Sequence, residues 1–493
     1  MNQGNRENWD SRPAFILAAI GSAVGLGNIW RFPYIAYKYG GGAFLIPYIV
    51  ALFTAGIPLL ILEFSLGHKT EKAAPNAFSS FNKKTKWIGW WAVLIGMSIV
   101  IYYAVIMSWS LIYLGKSFTL AWGNTPDTHF FNNVLHLSKS PSNIGMIVLP
   151  ILIGLIAVWF WVYFSIIKGV KSVGKIVYVT VIFPWIILII LIIRGVTLPG
   201  AMNGLSYLFT PNFAALKSPE VWINAYSQIF FSTSIGFGIM IAYASYLPRK
   251  ADIINNAFLI GLANSATSLL ASIAIFSTLG YLSLQKGVPV ANVVTSGPGL
   301  AFVTYPAIIN LFPFAREIFG ALFFIMLLTL GIDSAFSLVE AFSSAALEKW
   351  KISRPMMNFI IGVISIVLGI LFTTNSGLYW LDIVDHYLSV YGLIIIVILE
   401  CLVVGYIVGP SVLRKYANSQ SDFSIGRWWD ILIKFFIPFI LLVIMIWNIK
   451  NEIINPYGEY SRGALFIGMS VLIATLIVAI ILSIRRSEFK GVE

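Results

Sequence analysis

Apolar runs of membrane-crossing length follow one another along almost the whole chain, parted by short polar stretches. A spanning helix takes about 20 mostly apolar residues. On that measure the pattern predicts twelve spans, near residues 13–38, 42–67, 88–115, 144–166, 175–196, 220–247, 253–283, 316–349, 355–373, 377–408, 428–449 and 462–484; we number them 1 to 12. A β-barrel would show segments of roughly ten alternating residues instead, so the expected fold class is an all-α membrane protein. Aromatic residues near run ends (Trp87, Trp90, Trp91, Trp428, Trp429, Tyr457, Tyr460) fit interfacial belts. The longest connections are 116–143, 197–219, 284–315 and 409–427. The third, with GVPVANVVTSGPGLAFVTYPAIINLFP, is too apolar for a plain solvent loop. It is expected to form short helices folded back over the outer face.

Glycines interrupt two of the spans. Gly21, Gly25 and Gly27 fall in span 1, and Gly236 and Gly238 in span 6. The interruptions lie five spans apart, at matching places in two five-helix halves. An odd number of spans per half inverts the second half, and paired broken helices in inverted repeats point to a midplane binding site. This predicts one transporter domain over 1–484: a first repeat at 13–196, a second at 220–408, two additional helices at 428–484, and a cytoplasmic tail at 485–493. Gly21-Ser-Ala-Val-Gly25 is also a GxxxG helix-packing motif. Two matched breaks beside polar residues favour the broken-helix reading over packing alone.

Composition agrees with a membrane bundle. Of 493 residues, 58% are hydrophobic and 11% charged, against about 25% charged in soluble domains. The net charge of +12 does not indicate nucleic acid, because the basic residues sit in short clusters between apolar runs, such as Lys83, Lys84 and Lys86, or Arg249 and Lys250. They fall in alternate loops, which places both termini in the cytoplasm under the positive-inside rule. Cys401, the single cysteine, lies in an apolar run and has no partner for an intramolecular disulfide. No removable signal peptide is read at the N-terminus.

Backbone freed from helical bonding at membrane depth must find partners. Its N–H groups and the positive end of a half-helix suit a carboxylate, and its carbonyls suit Na⁺, a hard cation. Asp333 stands within an apolar span with no lysine or arginine near it in that span, and an acid there is costly and usually functional. His68, His129, His136 and His386 lack metal-ligand spacing. With no nucleophile motif in view, an enzyme is not expected.

GSAVGLGNIWRFPY followed by GGGAFLIPY resembles the opening signature of the neurotransmitter:sodium symporter family, and QIFFSTSIGFG, GPGLAFVTYP and LGIDS resemble later family motifs in the expected order. The resemblance implies two sodium sites. One would use Asn28, Asn264, the Ser232 hydroxyl and the Ala23 carbonyl, completed by the substrate carboxylate. The other would use carbonyls of Gly21, Val24 and Leu330 with Asp333 and Ser334. It also implies a substrate carboxylate held near Leu26, Gly27 and Tyr103, and an amine near Ala23, Phe231 and Ser234. The side-chain pocket would be Ile99, Phe231, Phe237 and Leu338, with Ser337 nearby. Gly25 stands where monoamine-carrying members place an aspartate. An apolar lining without an ionisable group disfavours a charged side chain, so neutral, mainly hydrophobic amino acids are the expected substrates.

The family's chloride ligands map to Tyr48, Gln228, Ser232 and Ser268. Chloride-independent members tend to carry an acid at one of these positions, so chloride is expected to support transport; Glu63 is the alternative source of negative charge. The resemblance further implies an outer gate, Arg31 with Asp385, and an inner gate, Arg6 with Glu348, supported by Trp9. Family members usually have aspartate in place of Glu348. In the expected cycle, spans 1, 2, 6 and 7 rock against 3, 4, 8 and 9. Missing cysteines in the 116–143 connection point to a prokaryotic plasma-membrane protein. A sodium-dependent amino-acid sensor without flux, and a symporter for GABA- or glycine-type substrates, stay open. The oligomeric state is not legible.

Overall fold

The computed structural model describes residues 8–293 and 297–484. The chain is almost wholly helical. Among the described residues there is no β-strand, only the isolated bridges Gly41↔Pro211 and Ile147↔Thr374. Among the described residues, ten helices are long and apolar enough to cross a membrane. They correspond to spans 2–5, 7–10, 11 and 12. Span 1 is a bent pair, Arg12–Ala23 and Gly27–Lys38, at 51°. Span 6 is two shorter helices, Pro219–Ser232 and Ile239–Ala244, parted by residues 233–238. Neither piece alone has membrane-crossing length. The protein is thus a multi-pass membrane protein.

Buried side chains as large as Trp90, Trp109 and Trp429 fill the interior. Spans 3 (Lys83–Ser117) and 8 (Arg316–Lys349) are the long central helices that wall the site. Outward faces carry exposed apolar side chains, among them Phe160, Phe164, Ile193, Phe439 and Phe466. A soluble monomer rarely shows so much contiguous apolar surface, whereas lipid tails match it. Spans 11 and 12 lie on this periphery.

The apolar connection before span 8 does fold back as helix, over Leu300–Asn310. Phe302 stacks on Phe130 at 5.1 Å between centroids, and Tyr113 donates to the Phe302 carbonyl at 3.1 Å. Span 11 differs from expectation. Its helix runs on to Ile454, past the 449 at which the apolar run ends. Lys450, Asn451 and Glu452, polar residues beyond that end, are helical, and Asn448 and Asn451 line the central cavity.

Candidate functional site

Helix Arg12–Ala23 begins at Ser11, whose hydroxyl accepts from the Ala14 amide at 3.3 Å, the usual way to satisfy a free first-turn donor. It stops where Val24 turns extended, with φ −83° and ψ 103°. The second break contains three residues in left-handed backbone: Ser234 (φ +55°), Gly236 (φ +82°) and Gly238 (φ +72°). Glycine takes that conformation freely. Serine does not, and needs compensating contacts. Ser234 has one, since its hydroxyl donates to the Ser22 carbonyl at 2.8 Å and so ties the two breaks together. The Gly236 amide donates to Glu63 Oε1 at 2.7 Å. The freed backbone therefore has specific partners, as membrane depth requires.

The residues of the first expected sodium site converge. Asn28 accepts the Gly25 amide at 3.0 Å and donates to Asn264 Oδ1 at 2.8 Å and Ser268 Oγ at 2.7 Å. One end of the Asn264 amide lies 3.2 Å from the carbonyls of both Ala23 and Ser232, and its other end 3.0 Å from Ser232 Oγ. With the amide oxygen toward the carbonyls, three oxygens face one another without a proton between them, a set that a hard cation satisfies. With the amide turned over, its NH₂ group donates to both carbonyls instead. No ionised side chain is among these ligands, so a cation here still lacks a counter-charge, which a substrate carboxylate supplies.

The second set is anchored by Asp333, 1% exposed. Its Oδ1 accepts the Thr180 hydroxyl at 2.5 Å. Its Oδ2 has no partner among the described residues. That oxygen lies 2.8 Å from where a Cβ on Gly21 would sit, so Asp333 faces the end of the first half-helix. Val24 and Leu330 are buried, and Ser334 donates to the Ser22 carbonyl at 3.4 Å. An orphaned buried carboxylate oxygen facing the end of a half-helix fits a cation.

A cavity of about 890 Å³ touches the whole expected substrate set: Ala23, Gly25, Leu26, Gly27, Ile99, Tyr103, Phe231, Ser232, Ser234, Phe237, Ser334 and Leu338. The Tyr103 hydroxyl faces Leu26 and Ser334 without completing a hydrogen bond. A Cβ on Gly25 would meet Ser334 Oγ at 2.9 Å and Tyr103 OH at 3.4 Å, and one on Gly27 would strike the Phe231 ring at 2.6 Å. The glycines thus hold space open between the break and the facing side chains. The cavity runs out to Lys38, Glu220 and Asn448. Toward the other membrane face Trp9, 5% exposed, donates to the Tyr243 carbonyl at 2.9 Å and packs edge-on against its ring.

The anion candidates also gather. Tyr48 donates to Ser265 at 3.2 Å and faces Ser232 and Ser268. Ser268 donates to the Asn264 carbonyl at 3.3 Å. Gln228 is fully buried, and neither its nitrogen nor its oxygen has a partner among the described residues. Such an unpaired buried amide is expensive. Glu63 is committed through one oxygen to Gly236.

The expected outer ion pair is not formed. Arg31 lies over the Phe231 ring at 4.6 Å. Asp385 accepts from Tyr102 at 2.6 Å and Ser389 at 2.8 Å. Both border the cavity. Glu348 accepts from the Ala73 amide at 2.7 Å and from Asn76 at 2.8 Å, so it holds the start of helix Ala74–Ser79. Its expected partner Arg6 lies outside the described residues.

Several contributors were not anticipated from sequence. Thr180 bonds Asp333, Ser22 donates to Ser337 at 2.9 Å, Ser265 receives Tyr48, and Tyr102 holds Asp385. Thr180, Ser22 and Ser265 are hydroxyls in apolar runs, where a helix can also satisfy them locally, and Tyr102 reads as one more aromatic of its span, so the signal was weak.

Comparison with known proteins follows this geometry. The chain matches the sodium:neurotransmitter symporter family over residues 6–131 and 123–488. It is 43% identical to a protein of Methanocaldococcus jannaschii named an uncharacterized sodium-dependent transporter, over 100% of both chains. It is 36% identical to the sodium- and chloride-dependent GABA transporter 2 of Mus musculus, over 86% of this chain and 76% of that one. With the sodium-dependent dopamine transporter of Caenorhabditis elegans it shares 34% identity over 92% and 82%.

Proposed function

Because this chain belongs to the sodium:neurotransmitter symporter family, a family of transporters and not enzymes, we propose that it imports neutral α-amino acids by sodium-coupled alternating access. The observation that carries this reading is the union of two cation-fitting oxygen sets with one cavity across two broken helices. The substrate carboxylate sits by Leu26, Gly27 and Tyr103 and completes the first sodium site. Its amine meets the Ala23 carbonyl and Ser234. Sodium and substrate then bind together, because each supplies what the other lacks. The side chain lies against Ile99, Phe231, Phe237 and Leu338, an apolar wall with no ionisable group, so hydrophobic side chains are favoured.

Chloride supports this transport by occupying the group at Tyr48, Gln228, Ser232 and Ser268; the unpaired Gln228 amide is the supporting observation. It offsets part of the sodium charge in a low-dielectric setting. The twelve spans form a five-plus-five inverted repeat in the plasma membrane, with both termini and the Trp9 seal on the cytoplasmic side and the open cavity outside. Arg31 and Asp385 close over the substrate, and Arg6 and Glu348 part on the inner side.

A second substrate reading, GABA or a similar amino acid, is favoured by the 36% identity to a GABA transporter and by the open space at Gly25. Binding of labelled leucine, phenylalanine, glycine and GABA to purified protein, in sodium chloride, sodium gluconate and choline chloride, tests the proposal. Sodium-dependent binding of leucine or phenylalanine is expected. Binding of GABA alone would establish the second reading, and binding indifferent to sodium would refute both.

A further inference from the structure

Span 11 stands outside both expected repeats, yet its outer turns reach the cavity. Asn448 and Asn451 line it, as do Tyr457 and Tyr460 beyond the helix. On the same helix Glu452 places Oε1 2.8 Å from His386 Nε2 of span 10, and the same oxygen accepts from Tyr391 at 2.6 Å. An ionised carboxylate only accepts, so Nε2 carries the proton. The His386 ring stacks on Tyr457 at 3.6 Å between centroids, tilted by 12°. Tyr457 and Tyr460 donate to the two oxygens of Asp382, each at 2.8 Å. These contacts fasten the outer half of span 10 to span 11 on both sides of Asp385. The fastened stretch includes a π-helical segment, His386–Gly392, a geometry frequent at functional sites.

We propose that the His386–Glu452 pair is a positioning contact for the outer gate. It holds the outer half of span 10, and Asp385 with it, back on span 11 while the cavity is open. It loosens for Asp385 to approach Arg31. This rests on the gate assignment in the proposed function. Here the latch is made and the Arg31–Asp385 pair is not. The His386–Glu452 contact, with Tyr391 on the same oxygen, is the polar link that a Glu452 substitution weakens.

The test uses the full chain in proteoliposomes with Ser227→Cys, a cavity-lining position, as reporter. Cys401 is buried, and the chain without the reporter gives the background. Labelling by a membrane-impermeant maleimide is followed in sodium without substrate at one fixed pH. Glu452→Gln is expected to reduce labelling by about two- to fivefold, the range of a polar pair at a solvent edge. His386→Lys keeps a donor facing Glu452, so its labelling should stay close to the parent's. If Glu452→Gln does not fold, His386→Ala removes the same contact from the other side and is expected to lower labelling by a similar factor. Labelling of Glu452→Gln or His386→Ala equal to the parent would overturn the latch. Parent labelling equal in sodium and choline would instead count against the sodium-coupled reading, whatever the variants do.

Discussion

Asp333 Oδ2 lies 2.8 Å from the point that a Cβ on Gly21 would occupy, and no described group donates to it. A buried carboxylate with one oxygen satisfied by Thr180 and one facing the end of a half-helix is arranged for a cation. Asp333→Asn keeps the shape and the Thr180 contact but removes the charge. It is expected to raise the sodium concentration for half-maximal uptake by about tenfold or more, roughly 1.4 kcal/mol. A sodium titration of uptake checks this, and an unchanged midpoint would exclude Asp333 as a sodium ligand.

Gly25 takes an ordinary backbone conformation, so alanine there is not strained. Its Cβ would nevertheless press Ser334 Oγ at 2.9 Å and approach Tyr103 OH at 3.4 Å. Gly25→Ala is expected to weaken amino-acid binding by about tenfold, a loss near 1.4 kcal/mol, while the protein stays folded. Equal affinity in equilibrium binding would move the substrate carboxylate away from this break.

Glu63 holds the broken part of span 6 through the Gly236 amide at 2.7 Å. Glu63→Ala leaves that donor buried and unpaired, at a cost of about 1–3 kcal/mol, whereas Glu63→Gln keeps an acceptor. Thermal unfolding in detergent should therefore fall clearly for alanine and much less for glutamine. The same midpoint for both variants would show that the contact contributes little.

Ser268→Glu sets a fixed negative charge beside Asn28, whose amide donates to Ser268 Oγ at 2.7 Å. Uptake by this variant is expected to lose its chloride dependence and to proceed in gluconate. Chloride sensitivity equal to that of the parent would show that the anion binds elsewhere.

Much of this organisation was legible because long apolar runs leave few alternatives to helices in lipid. The glycines of spans 1 and 6 marked the two breaks for the same reason, since freed backbone at that depth needs a purpose. What escaped depends on tertiary contact. Ser234 adopts left-handed backbone without being glycine, held by Ser22, and nothing local signals it. The acid at Glu63 was visible, but its bond to Gly236 joins spans far apart in sequence. Span 11 read as ending at 449, because polar residues beyond it suit lipid poorly; the helix instead continues to Ile454, and Asn451 lines the cavity. The expected pairing of Arg31 with Asp385 is not made in this structure, where Arg31 lies over Phe231 and Asp385 is held by Tyr102 and Ser389, contacts that no local sequence pattern signals.

The central claim is coupling of amino-acid movement to sodium. Its most direct measurement is uptake of labelled leucine into proteoliposomes under an inward sodium gradient, with the gradient then collapsed by a sodium ionophore. Accumulation above the outside concentration, lost on collapse, is the predicted result. Sodium-dependent binding with no accumulation would contradict transport and identify a sensor, and accumulation that survives collapse would contradict sodium coupling.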